Sequence, residues 1–299
     1  MFRAAILIVT LLIAPAQAQM MMLGVGSGND NPSTYSGPGD VVASAFWWGG
    51  FRAYSKASAL AHANAFQVCT ALDASCEVET NAAAGNVTLG AVATACGVGA
   101  CTVKTVYDQS GNGNDAAQAT IANRAVFTKS CKNGQPCMTC PGSASAGYLT
   151  GAVASHAAPI TFYNIVERTG AFTTVQSSLD TFLTGGKAGI GFNSAANQMY
   201  AYAGGASSGI VAAADSQFHS LVVMFNGAST IMYIDGVSNA APSVGGAGQG
   251  SPIALCQRAD VVQPMTGPWV EGGIWTSGFN ATQAGNMYTN QTGFWGTLP

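Results

Sequence analysis

Thr102-Val-Lys-Thr-Val-Tyr-Asp-Gln-Ser-Gly-Asn-Gly-Asn-Asp115 is the stretch whose reading decides the fold. Val103, Val106 and Tyr107 suit a half-buried strand, while Gly111, Gly113 and the asparagines allow positive φ and close backbone approach. A strand therefore runs into a demanding turn that Asp108, Ser110 and Asn112 can hydrogen-bond from within. The same oxygen-rich run resembles a calcium loop, but Ala119 stands where the twelfth-position bidentate Glu is required. A structural turn without a cofactor is the expectation, with calcium as the alternative.

Working outward toward the N-terminus, residues 1–18 read as a secretory signal peptide. Arg3 supplies the positive start, Ala4 to Ala14 the apolar run, and Ala16-Gln-Ala18 the cleavage site. The apolar run is too short for a membrane span. Residues 19–40, rich in Gly, Asn and Ser, read as a flexible leader. Residues 41–299 then form one domain, with no membrane partner once the signal is removed.

Only 8% of the chain is charged while 48% is hydrophobic, so the surface must be built from Ser, Thr, Asn, Gln and Gly. A formal charge of -3 provides no basic footprint for nucleic acid. Neutral partners such as carbohydrate fit this surface.

Eight cysteines on an exported chain point to disulfides. Cys69/Cys76, Cys96/Cys101 and Cys131/Cys137 each enclose a short loop, which leaves Cys140 and Cys256 as a long-range pair. A zinc site at Cys131, Cys137 and Cys140 is disfavoured because no His lies near them.

Beyond the turn, short β-like runs follow one another: Ile160 to Val166, Asp180 to Thr184, Ala188 to Asn193, Gln198 to Ala203, Phe218 to Phe225, Thr230 to Asp235, Ile253 to Cys256 and Val270 to Thr276. Gly and Asn punctuate them, the pattern of a sandwich. Asp235-Gly236 is a hairpin turn signal. Short helices are expected within the Ala-rich segment 44–66, over 87–95, and after Asn280 as N-cap. His62 and His219 read as structural.

Four features in order resemble the catalytic domain of the family-54 α-L-arabinofuranosidases: Arg52-Ala-Tyr-Ser55, Cys96-x4-Cys101, Tyr107 to Asn114, and Val270-Glu-Gly-Gly-Ile-Trp-Thr-Ser-Gly-Phe279. The resemblance spans residues 40–295 and implies an all-β, concanavalin A-like jelly-roll sandwich with a few short helices. Similar turns occur in laminin-G-like domains, which bind rather than cut.

Retaining hydrolysis needs two carboxyl groups about 5–5.5 Å apart. The resemblance implies an acid/base Asp in the loop before the Glu-Gly strand, where Asp260 stands eleven residues ahead of Glu271. An ion pair with Arg258 is the structural alternative for Asp260, and Glu271 is a supporting candidate. The family's nucleophile is a Glu in a strand of the form Asp-Leu-Glu-Asn-Asn-Leu-Phe. Aligned with Phe192-Asn-Ser-Ala-Ala-Asn-Gln-Met-Tyr200, that Glu is replaced by Ala195 or Ala196, leaving Glu167, Asp180 and Asp215 as substitutes. Trp47, Trp48 and Trp269 are candidate sugar platforms, although clustered aromatics more often fill cores.

The expectation is a secreted domain that binds glycan, arabinose-containing polysaccharide among the candidates, with its hydrolytic step in question. One alternative is an active arabinofuranosidase using Asp260 and another carboxylate. A second is a structural or virion-associated surface protein.

Overall fold

The computed structural model describes residues 34–143, 147–170, 174–181, 186–195, 198–204, 209–212, 216–240, 244–260 and 262–299. The signal peptide, most of the leader, Ala196 and Asp215 lie outside the described residues.

The strands form an antiparallel jelly-roll sandwich. One layer runs, in spatial order, Val237–Ala240, Ile231–Ile234, Phe218–Phe225, Ile160–Glu167, Thr266–Trp275 and Trp47–Gly50. The other runs Gly209–Ala212, Gln198–Ala203, Ala188–Phe192, Gln176–Asp180, Ile253–Leu255, Leu149–Gly151, Ala116–Ala117, Cys101–Val106, Asn64–Thr70, Cys76–Asn81 and Val87–Thr88. The hairpin Ala125–Lys132 and Gln135–Pro141 links Cys101–Val106 to Thr266–Trp275, joining the layers at one side.

Ile160–Glu167 is buried along its length up to Glu167, Thr161 and Asn164 included, as a central strand between two neighbours is. On its neighbour, Gly273 makes room for indoles. A Cβ there would lie 2.8 Å from atoms of both Trp48 and Trp275. Short helices at Pro38–Val41, Lys56–Leu60 and Ala91–Ala95 decorate the sandwich. A longer helix, Ala281–Trp295, starts at Asn280, whose side chain caps Gln283 N.

The turn after Cys101–Val106 ties the two layers together. Asp108 accepts hydrogen bonds from Trp48 N, Ser110 N, Ser110 Oγ and Asn114 N, at 2.6–3.2 Å. Gln109 N donates to Trp48 O at 2.8 Å, and its side chain accepts from Tyr54 N and Asn81 Nδ2. Gly111 and Gly113 adopt φ of +93° and +72°. The turn is hydrogen-bonded from within as the sequence pattern predicts, with both Asp108 oxygens engaged by protein donors.

All four disulfides pair as the spacing suggests: Cys69–Cys76, Cys96–Cys101, Cys131–Cys137 and Cys140–Cys256. The end of the predicted leader is folded rather than flexible. Gly39 N donates to Tyr54 O at 2.7 Å, and the Asp40 carboxylate accepts from Gly37 N and Lys56 N.

Candidate active site

Three consecutive strands set up one row across the second layer. Asp180 pairs in register with Gly189, and Gly189 with Tyr202. Side chains alternate along each strand. On Ala188–Phe192 the glycines at 189 and 191 share one face while Ala188, Ile190 and Phe192 enter the core. On Gln198–Ala203 the same face carries Tyr200 and Tyr202, stacked with ring centroids 5.6 Å apart.

Gly189 is what lets this row close. A Cβ at that position would lie 2.3 Å from Asp180 Oδ2 and 2.6 Å from Tyr202 Cε1. With no side chain between them, the Tyr202 hydroxyl reaches across and donates to Asp180 Oδ2.

Above Asp180 sits the segment from Cys256 to Met265, closed on itself by Met265 N to Cys256 O at 2.7 Å and Arg258 N to Val262 O at 3.0 Å. The disulfide to Cys140 anchors its first residue. Ala259 N donates to Asp180 Oδ1 at 3.3 Å, and the charge of the next residue, Asp260, is felt at Asp180. Asp260 is held by Arg258 through two bonds of 2.7 Å, with both side chains part-exposed. At the end of the segment, Gln263 Oε1 accepts from Tyr200 OH at 2.9 Å and Ser177 Oγ at 3.2 Å.

Electrostatics follow from burial. Asp180 has no exposed surface, and desolvation pushes its carboxyl up to about 7. The hydrogen bonds from Tyr202 and Ala259 and the nearby Arg258 charge pull it back down, while Asp260 pushes it up. Burial likewise raises Tyr200 and Tyr202, and the Asp180 charge adds to both.

The other predicted site residues lie elsewhere. Trp47, Trp48 and Trp269 are fully buried, so no ring face is open to a sugar; they are core. Glu271 is buried against Arg52, with bonds of 2.5 and 2.8 Å, and the Arg52 guanidinium stacks 4.9 Å over Phe294. Ala195 lies beyond the end of Ala188–Phe192 that pairs with Gln176, away from Asp180, where its carbonyl accepts from Arg168. Glu167 ends the strand Ile160–Glu167, where burial raises its carboxyl. Of the substitutes within the described residues, Asp180 alone shares a site with Asp260. Tyr200, Tyr202, Ser177 and Gln263 were not singled out by sequence. The readable signal was the alternation Gly189-Ile-Gly191 followed by Tyr200-Ala-Tyr202.

Among solved structures, the chain matches a mutant of a family-54 α-L-arabinofuranosidase soaked with 4-nitrophenyl α-L-arabinofuranoside, with a TM-score of 0.68 and 16% identity over 88% of this chain. It also matches an arabinofuranosidase complexed with arabinofuranosyl-α-1,2-xylobiose, with a TM-score of 0.63 and 16% identity over 85% of this chain. The chain resembles the family-54 α-L-arabinofuranosidase catalytic domain. It spans 66% of the first of these proteins and 64% of the second. No protein-family model matches the chain, and no curated protein does. At this identity the arabinofuranosidase likeness establishes the fold.

Proposed function

We propose that this chain is a retaining glycoside hydrolase of arabinofuranosidase type, with Asp180 as nucleophile and Asp260 as acid/base. The observation that carries this reading is the Ala259 N–H bond to Asp180, which brings the residue before Asp260 onto the buried carboxylate, close enough for the Asp260 charge to raise its pKa. Ser178-Leu-Asp-Thr181 also fits the Asp-Leu-Glu-Asn part of the family strand, with the acid one carbon shorter. The fold likeness to arabinofuranosidases soaked or complexed with arabinosides supports the same substrate class.

In the first step an Asp180 oxygen attacks the anomeric carbon, the glycosidic C–O bond breaks, and Asp260 gives its proton to the leaving oxygen. In the second, Asp260 takes a proton from water, whose oxygen attacks the anomeric carbon and releases Asp180. Arg258 must let go of Asp260 for it to carry that first proton. Asp180 must be ionised, a form that burial opposes and that the hydrogen bonds from Tyr202 and Ala259 N favour.

The bidentate Arg258–Asp260 pair favours a second reading, glycan binding without turnover. An assay of the mature protein on an aryl α-L-arabinofuranoside separates the two. Hydrolysis that is lost in both Asp180→Asn and Asp260→Asn supports the first. Binding with no turnover in the wild type supports the second. We further propose export from the cell. Four disulfides fit an extracellular protein, and among the described residues no helix is long and apolar enough to cross a membrane.

A further inference from the structure

We propose that Gln263 selects the sugar: its amide N–H group donates to one hydroxyl of the bound furanoside while Ser177 and Tyr200 hold its carbonyl. The inference rests on the hydrolase reading of the Asp180–Asp260 site and adds to it a residue that determines specificity.

Three observations converge on Gln263. Its backbone sits at φ +57°, a left-handed conformation that a non-Gly residue adopts at a cost, and its side chain reaches Ser177 and Tyr200 on the sheet. Its position is fixed twice, by Ser177 N donating to its carbonyl oxygen at 2.9 Å and by the side-chain bonds from Ser177 and Tyr200. Those two hydroxyls also touch each other at 3.0 Å, so the amide oxygen closes a three-membered polar ring.

That ring uses only one end of the amide. The Nε2 end makes no hydrogen bond among the described residues, and the residue is part-exposed, three residues past Asp260 on the same segment. A donor whose partner end is pinned has little rotational freedom left to lose on binding. A neutral sugar offers hydroxyl acceptors, and a site built to donate to a hydroxyl rejects the analogue that lacks it. A purely structural latch would need the carbonyl end alone.

Gln263→Glu separates these roles. It keeps an oxygen for the Ser177 and Tyr200 hydroxyls and removes both N–H donors. Gln263→Met serves as the uncharged comparison. For the wild type and both variants, kcat/KM and Kd are measured with 4-nitrophenyl α-L-arabinofuranoside and its 2-, 3- and 5-deoxy analogues. The wild type is expected to favour the parent over one of the deoxy analogues by roughly tenfold more than the variants do, the worth of one hydrogen bond. The variants should keep their preferences at the other positions. Equal discrimination by all three proteins at every position overturns the inference. If the wild type binds without cleaving and its Kd ratios follow the expected pattern, the hydrolase reading falls and this one stands. If it neither binds nor cleaves arabinosides, both fall.

Discussion

Tyr202 donates its hydroxyl hydrogen to Asp180 across a strand whose facing residue, Gly189, has no side chain to keep them apart. This bond favours the ionised form of the carboxylate on which the proposed chemistry depends, against the larger effect of burial.

Removing that donor shifts the pH dependence in a defined direction. A hydrogen bond to the ionised form lowers a carboxyl pKa, so Tyr202→Phe raises that of Asp180 from its value near 7. The acidic limb of kcat/KM, below which the nucleophile is protonated, moves to higher pH by roughly one to two units, since a hydrogen bond to a charged group contributes about 1.5–3 kcal/mol. An unmoved limb, recorded from pH 4 to 9, would contradict this role for Tyr202.

The same carboxyl makes a prediction for stability. Its folded pKa of about 7 lies above the ordinary Asp value of 3.8, so the stabilisation associated with its retained proton is complete below pH 3.8 and is lost as pH rises through 7. Asp180→Asn removes the cost of ionising the buried group. It is therefore expected to raise unfolding free energy at pH 8 by about 2–4 kcal/mol and to leave it nearly unchanged at pH 3, while hydrolysis is lost. Urea titrations at the two pH values measure the difference.

Glu271 should behave in the opposite way. Its carboxylate is buried and spent on Arg52, so Glu271→Gln leaves a buried guanidinium short of its counter-charge and is expected to cost about 3–5 kcal/mol. Activity per folded molecule should persist. A folded Glu271→Gln protein, checked by circular dichroism, that lacks all turnover would return Glu271 to the chemistry.

Cys140–Cys256 closes the longest loop of the four disulfides, with a sequence separation of 116, against 7 for Cys69–Cys76. Loop-closure entropy predicts that replacing both cysteines by Ser costs about 3–5 kcal/mol for the long bridge and less for the short one. Because Cys256 begins the Asp260 segment, the long-bridge variant should also lose kcat at temperatures where it remains folded. Equal kcat in the two double mutants would remove the bridge from the positioning of Asp260.

The scaffold was legible because its signals are local. The turn from Tyr107 to Asp115 hydrogen-bonds itself, three disulfides close short loops, and Gly and Asn mark the strand ends. The site was less legible because its relations are long-range. Asp180 reads as the start of a strand over 180–184, of which 182–184 lie outside the described residues; it ends the strand Gln176–Asp180, and only its register with Gly189 and Tyr202 shows which face it occupies. Arg52 and Glu271 meet across 219 positions, and no local pattern announces a buried pair. Trp47, Trp48 and Trp269 look alike whether they fill a core or carry a sugar. Gly272 and Gly273, which let the indoles pack closely, place them in the core.

The most direct test of the account is chemical rescue of Asp180→Ala and Asp260→Ala with azide on 4-nitrophenyl α-L-arabinofuranoside, reading the anomeric configuration of the arabinosyl azide by NMR. If Asp180 is the nucleophile, azide replaces it from the opposite face and Asp180→Ala yields the inverted azide. With Asp260 as acid/base, azide instead attacks the glycosyl-enzyme of Asp260→Ala and yields the retained one. Wild-type turnover in Asp180→Ala, or the two products exchanged between the variants, would contradict the assignment.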